Sequence, residues 1–477
     1  MSWDVAIIGG GVVGTAIARE LAGYQLRCVL LEAAEDIGTG TTKANTAILH
    51  TGFDATPGTM ESRLVARGSA LLRDYAEQAG IAVERTGALL VAWTAEQAGS
   101  LDAIAEKSRR NGYTGIRSVS VAEVYQREPH LGPGAAGGLC IPGEWVIDPW
   151  SVPLAYATEA VRAGVELRLG TRVSGVSALP GGDGFELSAG PGAALVRCRF
   201  AVNAAGLASD EVDRMFGGGG FTIRPRKGEL IVYDKLARPL LSSIILPVPT
   251  ARTKGVVVAP TVFGNVLLGP TAEDVLDRSD RSTSAAGLSA LRAAGRRILP
   301  GLDREEVTAT YAGLRAATEH SDYQLGAFGR YVRVAGIRST GLTASLGIAE
   351  HVAGLLGEAG LPLKPRPGSQ GEGIGQGEGA KPPRMPYLGE AGTRPCQDAA
   401  RIAADPAYGQ IACHCERVTR GEIRDALASD IPPASLDGLR RRTRAMNGRC
   451  QAFYCGAAVS AQFSRPGSDA AVERDGR

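Results

Sequence analysis

The sequence predicts a mixed α/β fold: a parallel sheet of βαβ units with an inserted β-rich domain, followed by a small helical C-terminal domain. Three observations predict it. The chain opens with an apolar run and a Gly-rich turn, short β-rich segments recur through its middle, and its amino-acid composition changes after Leu361. At roughly 100–200 residues per domain, 477 residues leave room for about three domains.

The composition is that of an ordinary globular protein and excludes several function classes. Hydrophobic residues make up 44% and charged residues 21%, and 52 Lys+Arg against 50 Asp+Glu leave a formal charge of +2. Nothing in this balance indicates nucleic-acid binding. No apolar run reaches the roughly 18–20 residues of a spanning helix, and Val5–Ile8 comes too early, without a basic region, for a secretory signal. We therefore expect a cytoplasmic protein without a transmembrane segment, which could still dock at a membrane through a partner.

The first element is a βαβ unit. The apolar run Asp4–Ile8 leads into Gly9-x-Gly11-x-x-Gly14, a helical segment follows to Leu21, and a second strand covers Cys28–Leu31. In a dinucleotide-binding turn the first Gly permits the tight bend, the second lets the backbone approach the pyrophosphate, and the third lets helix and sheet pack closely. This pattern predicts a dinucleotide site.

Glu32 ends the second strand. At that spacing a carboxylate accepts hydrogen bonds from the adenosine ribose hydroxyls. The alternative is a surface acid at a strand end.

The middle of the chain alternates helical and strand-like stretches. This mixture predicts a β-rich domain inserted into the parallel sheet. The β-rich segments are Val165–Val176, Phe185–Leu187, Val196–Val202, Leu230–Tyr233, Gly255–Pro260 and Asn265–Leu268.

The C-terminal part has a different composition. Pro362–Pro383 is rich in Gly, which predicts a flexible linker, and the last dozen residues are polar. Between them, Cys413-x-Cys415 and Cys450-x4-Cys455 offer four thiolates from two loops. Such pairs hold iron–sulfur clusters, and structural zinc is the alternative, although its pairs usually have a wider spacing. A Rieske centre needs two histidines, and only His414 is nearby.

Three further segments resemble the amine and hydroxyacid oxidoreductases of the glycine oxidase, D-amino acid oxidase and glycerol-3-phosphate dehydrogenase type. They are 38–53, following Glu32, then Asn203–Gly206, and then Val334–Ala349. The resemblance implies FAD as the cofactor and an FAD-binding domain of the glutathione-reductase/D-amino acid oxidase type. It also implies cofactor contacts from seven residues beyond the first turn and its acid: Thr41, Thr42, Ala205, Gly206, Gly341, Leu342 and Thr343. The last three open a helix whose N–H groups could face the flavin.

The same resemblance implies the substrate side. In related hydroxyacid enzymes the position that corresponds to His50 faces the flavin. A neutral imidazole there could take a hydroxyl proton as hydride leaves the adjacent carbon. Lys254 and Arg315 lie in segments similar to the substrate domain, where basic residues meet phosphate or carboxylate. Arg226 and Lys227 are weaker alternatives. His130, His320 and His351 have no supporting pattern and are expected to be structural.

The segment Leu439–Cys455 resembles the bacterioferritin-associated-ferredoxin-like [2Fe–2S] module that ends the A subunits of anaerobic glycerol-3-phosphate dehydrogenases. This implies that Cys413, Cys415, Cys450 and Cys455 bind a [2Fe–2S] cluster. Asn447 departs from the Gly that family tends to have. The arginines before Cys450 could offset the negative charge of the cluster.

Together, the resemblances cover Ser2 to about Leu361 and Asp398 to about Ser464. They predict an oxidoreductase body over 1–361, with an FAD domain from 1–85, 150–220 and 330–361 and a substrate domain from 86–149 and 221–329. A linker (362–397), the [2Fe–2S] domain (398–464) and a tail (465–477) follow.

The function implied is FAD-dependent oxidation of glycerol 3-phosphate, a small anionic substrate, to dihydroxyacetone phosphate. Electrons would leave through the cluster to a partner subunit or a quinone-linked carrier. Two alternatives stay open: oxidation of L-2-hydroxyglutarate or a related hydroxyacid, and an electron-transfer or redox-sensing flavoprotein that turns over no substrate.

Overall fold

The computed structural model describes residues 2–249, 255–367 and 382–464. The chain divides into two compact units, Met1–Met385 and Pro386–Arg477. The division falls inside the segment 362–397 that the sequence predicts as a linker.

The strands of the first unit range in length from two to eleven residues. In chain order they are β1 (Ser2–Ile8), β2 (Cys28–Leu31), β3 (Ile48–Leu49), β4 (Val83–Glu84), β5 (Ala88–Ala92), β6 (Arg117–Val119), β7 (Gly137–Ile141), β8 (Trp145–Ile147), β9 (Glu166–Arg168), β10 (Val173–Ala178), β11 (Phe185–Ala189), β12 (Ala194–Asn203), β13 (Arg224–Tyr233), β14 (Ile244–Pro247), β15 (Val257–Pro260), β16 (Val266–Gly269), β17 (Glu273–Asp274), β18 (Val307–Ala317), β19 (Gln324–Phe328) and β20 (Tyr331–Ala335).

The helices of this unit pack on the sheets. They are α1 (Val12–Leu21), α2 (Met60–Ala79), α3 (Ala95–Gly99), α4 (Leu101–Arg110), α5 (Val121–Arg127), α6 (Ser151–Arg162), α7 (Ser209–Met215), α8 (Ala285–Ile298) and α9 (Gly341–Glu358).

The first sheet has a parallel centre. β1 lies between β12 and β2, β2 pairs with β9, and β12 also pairs in parallel with β20. Because both faces of such strands are covered, β1 and β2 read as continuous apolar runs. On one face α1, α6, α2 and α9 pack into the main hydrophobic core, which includes Ile7, Ile17, Leu72 and Val352. The predicted parallel sheet is confirmed.

The second sheet contains the inserted β-rich domain. It runs in the order β17, β13, β16, β15, β14, β5, β7, β6, and β18 also pairs with β13 along almost its whole length. It draws on both predicted stretches of the substrate domain, 86–149 and 221–329. Two strands of these stretches lie outside the second sheet: Gln324–Phe328 pairs with β20 in the first sheet, and Trp145–Ile147 pairs with β3 and β4.

A third, small sheet joins distant parts of the chain. β8 pairs antiparallel with β3 and with β4. Since β3 ends just before His50, the pairing of β3 with β8 determines which residues lie beside His50.

The second unit contains the cysteine motifs. Its elements are α10 (Ala399–Ala404), β21 (Ile411–Cys413), β22 (Val418–Thr419), α11 (Arg420–Leu427), α12 (Leu436–Thr443) and α13 (Gly456–Ser464). Its core is small and includes two of the cysteines; the members are Cys413, Val418, Ile423, Leu439, Ala445, Met446, Cys455 and Val459.

Candidate active site and cysteine cluster

The Gly-rich turn after β1 has the close backbone packing that its pattern predicts. Gly9 has a φ of +110°, and a Cβ there would lie 2.5 Å from the carbonyl oxygen of Ala204. A Cβ on Gly14 would lie 1.8 Å from the carbonyl oxygen of Gly9. Only glycine fits either position, so the start of α1 is held against the ends of β1 and β12.

The N-terminus of α1 suits an anion. Its cap residue is Gly11, and its first turn holds no acidic side chain, so the positive end of the helix is not offset there. The Thr42 hydroxyl accepts a hydrogen bond from the Val12 N–H at 3.0 Å. Thr41 instead donates to the carbonyl oxygen of Leu314 at 2.8 Å. Of the two predicted threonines, Thr42 therefore lies at the helix N-terminus, and Thr41 ties this loop to β18.

Glu32 lies beside the same turn. Its carboxylate accepts hydrogen bonds from the Gly10 N–H at 2.5 Å and the Ala34 N–H at 2.8 Å. Burial raises the pKa of the Glu32 carboxyl above its usual value, against these backbone donors. A carboxylate held in this way is not a simple surface acid.

The other two predicted flavin segments reach the same place. Gly206 has a φ of +57° and opens a 3₁₀ turn after β12, next to the Ala204–Ala205 backbone that contacts Gly9. At the start of α9, a Cβ on Gly341 would lie 3.9 Å from Val13 of α1. Segments separated by more than 100 residues thus meet around one helix N-terminus. Leu342 follows Gly341 and packs, partly buried, against the main core.

His50 is tied to α9 through its backbone. The Thr343 hydroxyl accepts a hydrogen bond from the His50 N–H at 3.0 Å. The predicted base and the predicted flavin strip are therefore neighbours, although 293 residues separate them.

Sequence reasoning missed the partner of the His50 ring. Its Nδ1 lies 2.8 Å from Oε2 of Glu144, whose side chain is fully buried. The other oxygen, Oε1, accepts hydrogen bonds from the Thr51 N–H at 2.6 Å and the Thr51 hydroxyl at 2.8 Å. The register of β3 and β8 explains the contact: Leu49 pairs with Trp145, so His50 and Glu144 are the next residues of the two strands. No local pattern links these positions.

The turn that carries Glu144 is packed tightly. A Cβ on Gly143 would lie 2.7 Å from Thr51 and 2.8 Å from the Tyr113 hydroxyl. The Arg73 guanidinium stacks over Trp145 at 3.8 Å from the ring centroid and donates to the carbonyl oxygen of Gly143 at 2.5 Å. Glu144 is held in one position by these neighbours.

Arg315 is a half-buried guanidinium on β18. It makes no hydrogen bond or ion pair with the residues that the structure describes, and burial, together with Arg226, lowers the pKa of Arg315. A Cβ on Gly228 of β13 would lie 2.9 Å from its Nη2, so the glycine leaves the space that the guanidinium fills. An unpaired, partly desolvated guanidinium is suited to binding an anion.

The alternative basic residues are already paired. Arg226 donates to both oxygens of Asp274, at 2.6 and 3.0 Å, and Lys227 donates to Asp280 at 2.8 Å. Lys254 lies outside the described residues, so its role stays a prediction. His320 lies at the surface, with Nε2 2.8 Å from the carbonyl oxygen of Gly220.

The four cysteines of the second unit are close together. They lie in two pairs, Cys415 beside Cys450 and Cys413 beside Cys455. Backbone N–H groups led by that of Tyr454 lower the pKa of Cys450, whereas burial raises the pKa of Cys455 to about 12. Within the described ranges, no three His, Cys, Asp or Glu side chains are grouped to hold a single metal ion. Two thiol pairs fit a two-iron cluster, in which the four ligands are divided between the irons.

The cysteine loops are held by residues between the ligands. Glu416 and Arg444 form an ion pair at 3.0 Å, with both side chains almost fully buried. A Cβ on Gly448 would lie 2.2 Å from Cβ of Cys415, so this glycine permits the approach of the two loops. Two other arginines of the run have partners as well: Arg441 pairs with Asp437, and Arg442 donates to the carbonyl oxygens of Ile431 and Gly438. Arg444 therefore holds the loop that contains Glu416, whereas the contacts of Arg441 with Asp437 and of Arg442 with Gly438 lie within α12.

Two family models match the chain: FAD dependent oxidoreductase over residues 4–355, and BFD-like [2Fe-2S] binding domain over residues 411–464. The chain belongs to the FAD-dependent oxidoreductase family. FAD and a [2Fe–2S] cluster, both predicted from the sequence, are confirmed as its cofactors, and so is the assignment as an FAD-dependent oxidoreductase.

Three similar proteins cover different shares of the chain. A glycerol 3-phosphate dehydrogenase of Caloramator mitchellensis is 32% identical over 96% of this chain and 93% of its own length. The human mitochondrial L-2-hydroxyglutarate dehydrogenase is 29% identical over 57% of this chain and 61% of its own. The solved structure of dithionite-reduced L-α-glycerophosphate oxidase of Mycoplasma pneumoniae with FAD bound superimposes with a TM-score of 0.72 at 26% identity, covering 77% of this chain and 97% of that chain. The predicted fold class is thus confirmed.

Among the described helices, none combines the length and apolar character needed to cross a membrane.

Proposed function

We propose that this protein oxidises sn-glycerol 3-phosphate to dihydroxyacetone phosphate, and that the electrons leave through the [2Fe–2S] cluster. The relative from Caloramator, a glycerol 3-phosphate dehydrogenase, is similar along both the flavoprotein body and the cysteine module. A substrate of this kind carries a phosphate and a secondary alcohol, and the site has a feature suited to each.

The observation that carries the proposal is Arg315. A half-buried guanidinium without a described counter-ion can bind a phosphate through two parallel hydrogen bonds, which a Lys cannot do. In the proposed site Arg315 binds the phosphate, and Lys254 adds a second positive charge.

His50 handles the alcohol. The imidazole accepts the C2 hydroxyl proton while the hydrogen on C2 leaves as hydride with the electron pair of its C–H bond, and the C–O bond becomes a carbonyl. Bound FAD supplies the hydride acceptor. His50 is held by Thr343 at the start of α9, the same helix start that the resemblance assigns to the flavin.

Anaerobic reduction of the bound flavin tests the proposal. The full-length holoprotein is mixed with sn-glycerol 3-phosphate, and bleaching of the flavin absorbance is followed. Matched controls are glycerol, which lacks the phosphate, and sn-glycerol 1-phosphate, which has the opposite configuration. We expect rapid bleaching by the first compound alone, and its failure to bleach the flavin would contradict the proposal.

L-2-hydroxyglutarate belongs in the same panel because the human relative is an L-2-hydroxyglutarate dehydrogenase. Bleaching by L-2-hydroxyglutarate in place of the phosphate ester would transfer the assignment to a hydroxyacid dehydrogenase. If no substrate of the panel reduces the flavin but a reductase does, the protein is an electron-transfer flavoprotein.

The electron outlet needs its own measurement. After substrate reduction, the electron paramagnetic resonance signal of a reduced [2Fe–2S] cluster should appear in the wild type. It should be missing from Cys450→Ser, although the flavin of that variant still bleaches. Titration with a quinone analogue or a candidate partner subunit then identifies the acceptor by the loss of this signal.

A further inference from the structure

We propose that Glu144 is a positioning residue that fixes the tautomer of the His50 imidazole, so that Nε2 is the proton-accepting atom. This inference rests on the proposed function, because it assigns a role to the base of that reaction. Glu144 itself is expected to contact neither substrate nor cofactor.

The argument begins with the hydrogen-bond partners of the carboxylate. Oε1 accepts from the N–H and the hydroxyl of Thr51, and Oε2 faces His50 Nδ1 at 2.8 Å. An ionised carboxylate is an acceptor only, so the short contact requires the proton of the neutral imidazole to be on Nδ1. The ring lone pair is then on Nε2, at the opposite edge.

Burial gives the contact its strength. The Glu144 side chain is fully buried, whereas 25% of the His50 side chain is exposed. A buried carboxylate is costly unless it is hydrogen-bonded, and the two Thr51 donors, His50 and the nearby Arg73 supply what it needs. When the imidazole gains a second proton at Nε2, the adjacent carboxylate stabilises the positive charge that forms.

The neighbours of Glu144 restrain the turn that carries it. The next residue, Trp145, is in β8 and stacks against Arg73, and Gly143 has no room for a side chain beside Thr51 and Tyr113. His50 is fixed in turn by the hydrogen bond from its N–H to Thr343. His50 is therefore held by a side chain of α9, and the turn that carries Glu144 is held by Arg73 of α2. Restraint of both partners is the arrangement that a base with one fixed tautomer needs.

Glu144→Gln tests the proposal with an isosteric side chain. The carboxamide oxygen can still accept from Thr51, but its NH₂ group would face His50 Nδ1 and donate to it, which moves the imidazole proton to Nε2. We expect the limiting rate of anaerobic flavin reduction by substrate to fall roughly 10- to 100-fold, within the range of general-base effects, with little change in substrate affinity.

The tautomer is read directly by nitrogen-15 NMR of histidine-labelled holoprotein, which needs no substrate. The chain has five histidines, and the signals missing from His50→Gln identify those of His50. Expected are a protonated Nδ1 in the wild type and in Glu144→Asp, and a protonated Nε2 in Glu144→Gln.

Glu128→Gln is the matched control. Glu128 is also buried and accepts hydrogen bonds from the backbone N–H groups of Ser242 and Ser243, but it does not face His50. This variant should keep both the wild-type tautomer and the wild-type rate.

Three results would overturn the proposal: a wild-type tautomer in Glu144→Gln, an unchanged limiting rate despite a changed tautomer, or a protonated Nε2 in the wild type. A protonated Nε2 in the wild type would overturn the proposal even if the Glu144→Gln variant failed to bind FAD. A wild type that is inert towards the whole substrate panel contradicts the proposed function instead, and leaves the NMR result to be judged on its own.

Discussion

The predicted flavin-binding turns and the cysteine loops are held together in different ways. Around the N-terminus of α1, segments near residues 9, 205 and 341 come together because parallel strands end at the same edge of a large sheet. In the second unit, two loops are held by a buried ion pair, Glu416–Arg444, and by one glycine, Gly448. We therefore expect the first site to keep its shape without FAD, because a large core supports it, and the smaller second site to depend more on its cofactor.

Removal of the cluster should have the largest effect. The second unit has a small core, to which Cys413 and Cys455 belong, and in small domains metal binding is commonly coupled to folding. In Cys455→Ser we expect amide hydrogen exchange over 386–464 to lose its protection, while 2–361 keeps its protection and its FAD.

The converse experiment removes the flavin. Apoprotein without FAD should keep the protection of β1, β2 and β12, since these strands are buried by helices on the same core. Persistent protection of 386–464 without the cluster, or global loss without FAD, would contradict the comparison.

The second prediction concerns the chemistry at the first site. His50→Gln should lower the limiting rate of flavin reduction by roughly 10²–10⁴-fold, because the proton acceptor is lost, with little effect on substrate affinity. His320→Gln, at a surface histidine, is the matched control. Stopped-flow absorbance measures both, and a wild-type rate in His50→Gln would remove it as the base.

The third prediction separates binding from chemistry. Arg315→Met should weaken substrate binding about 10- to 100-fold, the loss expected for hydrogen bonds to a charged group, with a smaller change in the limiting rate. Arg315→Lys, which keeps the charge but not the paired donors, should be intermediate. Arg226→Met removes an arginine already paired with Asp274 and should bind substrate normally. Equal affinities for all three variants would exclude Arg315 from the anion site.

The smallest expected effect comes from Gly448, which lies where the two cysteine loops approach each other. In Gly448→Ala the added methyl would collide with Cys415, so we expect lower iron and acid-labile sulfide content per chain, of the order of a twofold loss. Gly456→Ala, also beside a cluster cysteine, meets Ala452 at an ordinary 3.4 Å and should bind a full cluster. Equal iron content in the two variants would show that the loops can adjust.

Much of the site at the N-terminus of α1 was predictable because it depends on residues that are close together in the sequence. A Gly-rich turn between an apolar strand and a helix predicts close backbone packing at its glycines, and Gly9 and Gly14 show that packing. The cysteine spacing likewise indicated a cluster before any fold was known. The partner of Arg444 was less predictable, since nothing local in the sequence links it to Glu416, 28 residues away.

The sequence by itself determined the βαβ start, the β-rich insertion, the cofactor classes and the candidates His50 and Arg315. Only the tertiary structure decided which of these side chains have partners. Arg226 and Lys227 look like Arg315 in the sequence, yet cross-strand and loop carboxylates neutralise them. Glu144 has no motif at all, because its contact with His50 arises from the antiparallel register of two short strands 94 residues apart. Register depends on the whole packed sheet, and no local stretch of sequence contains it.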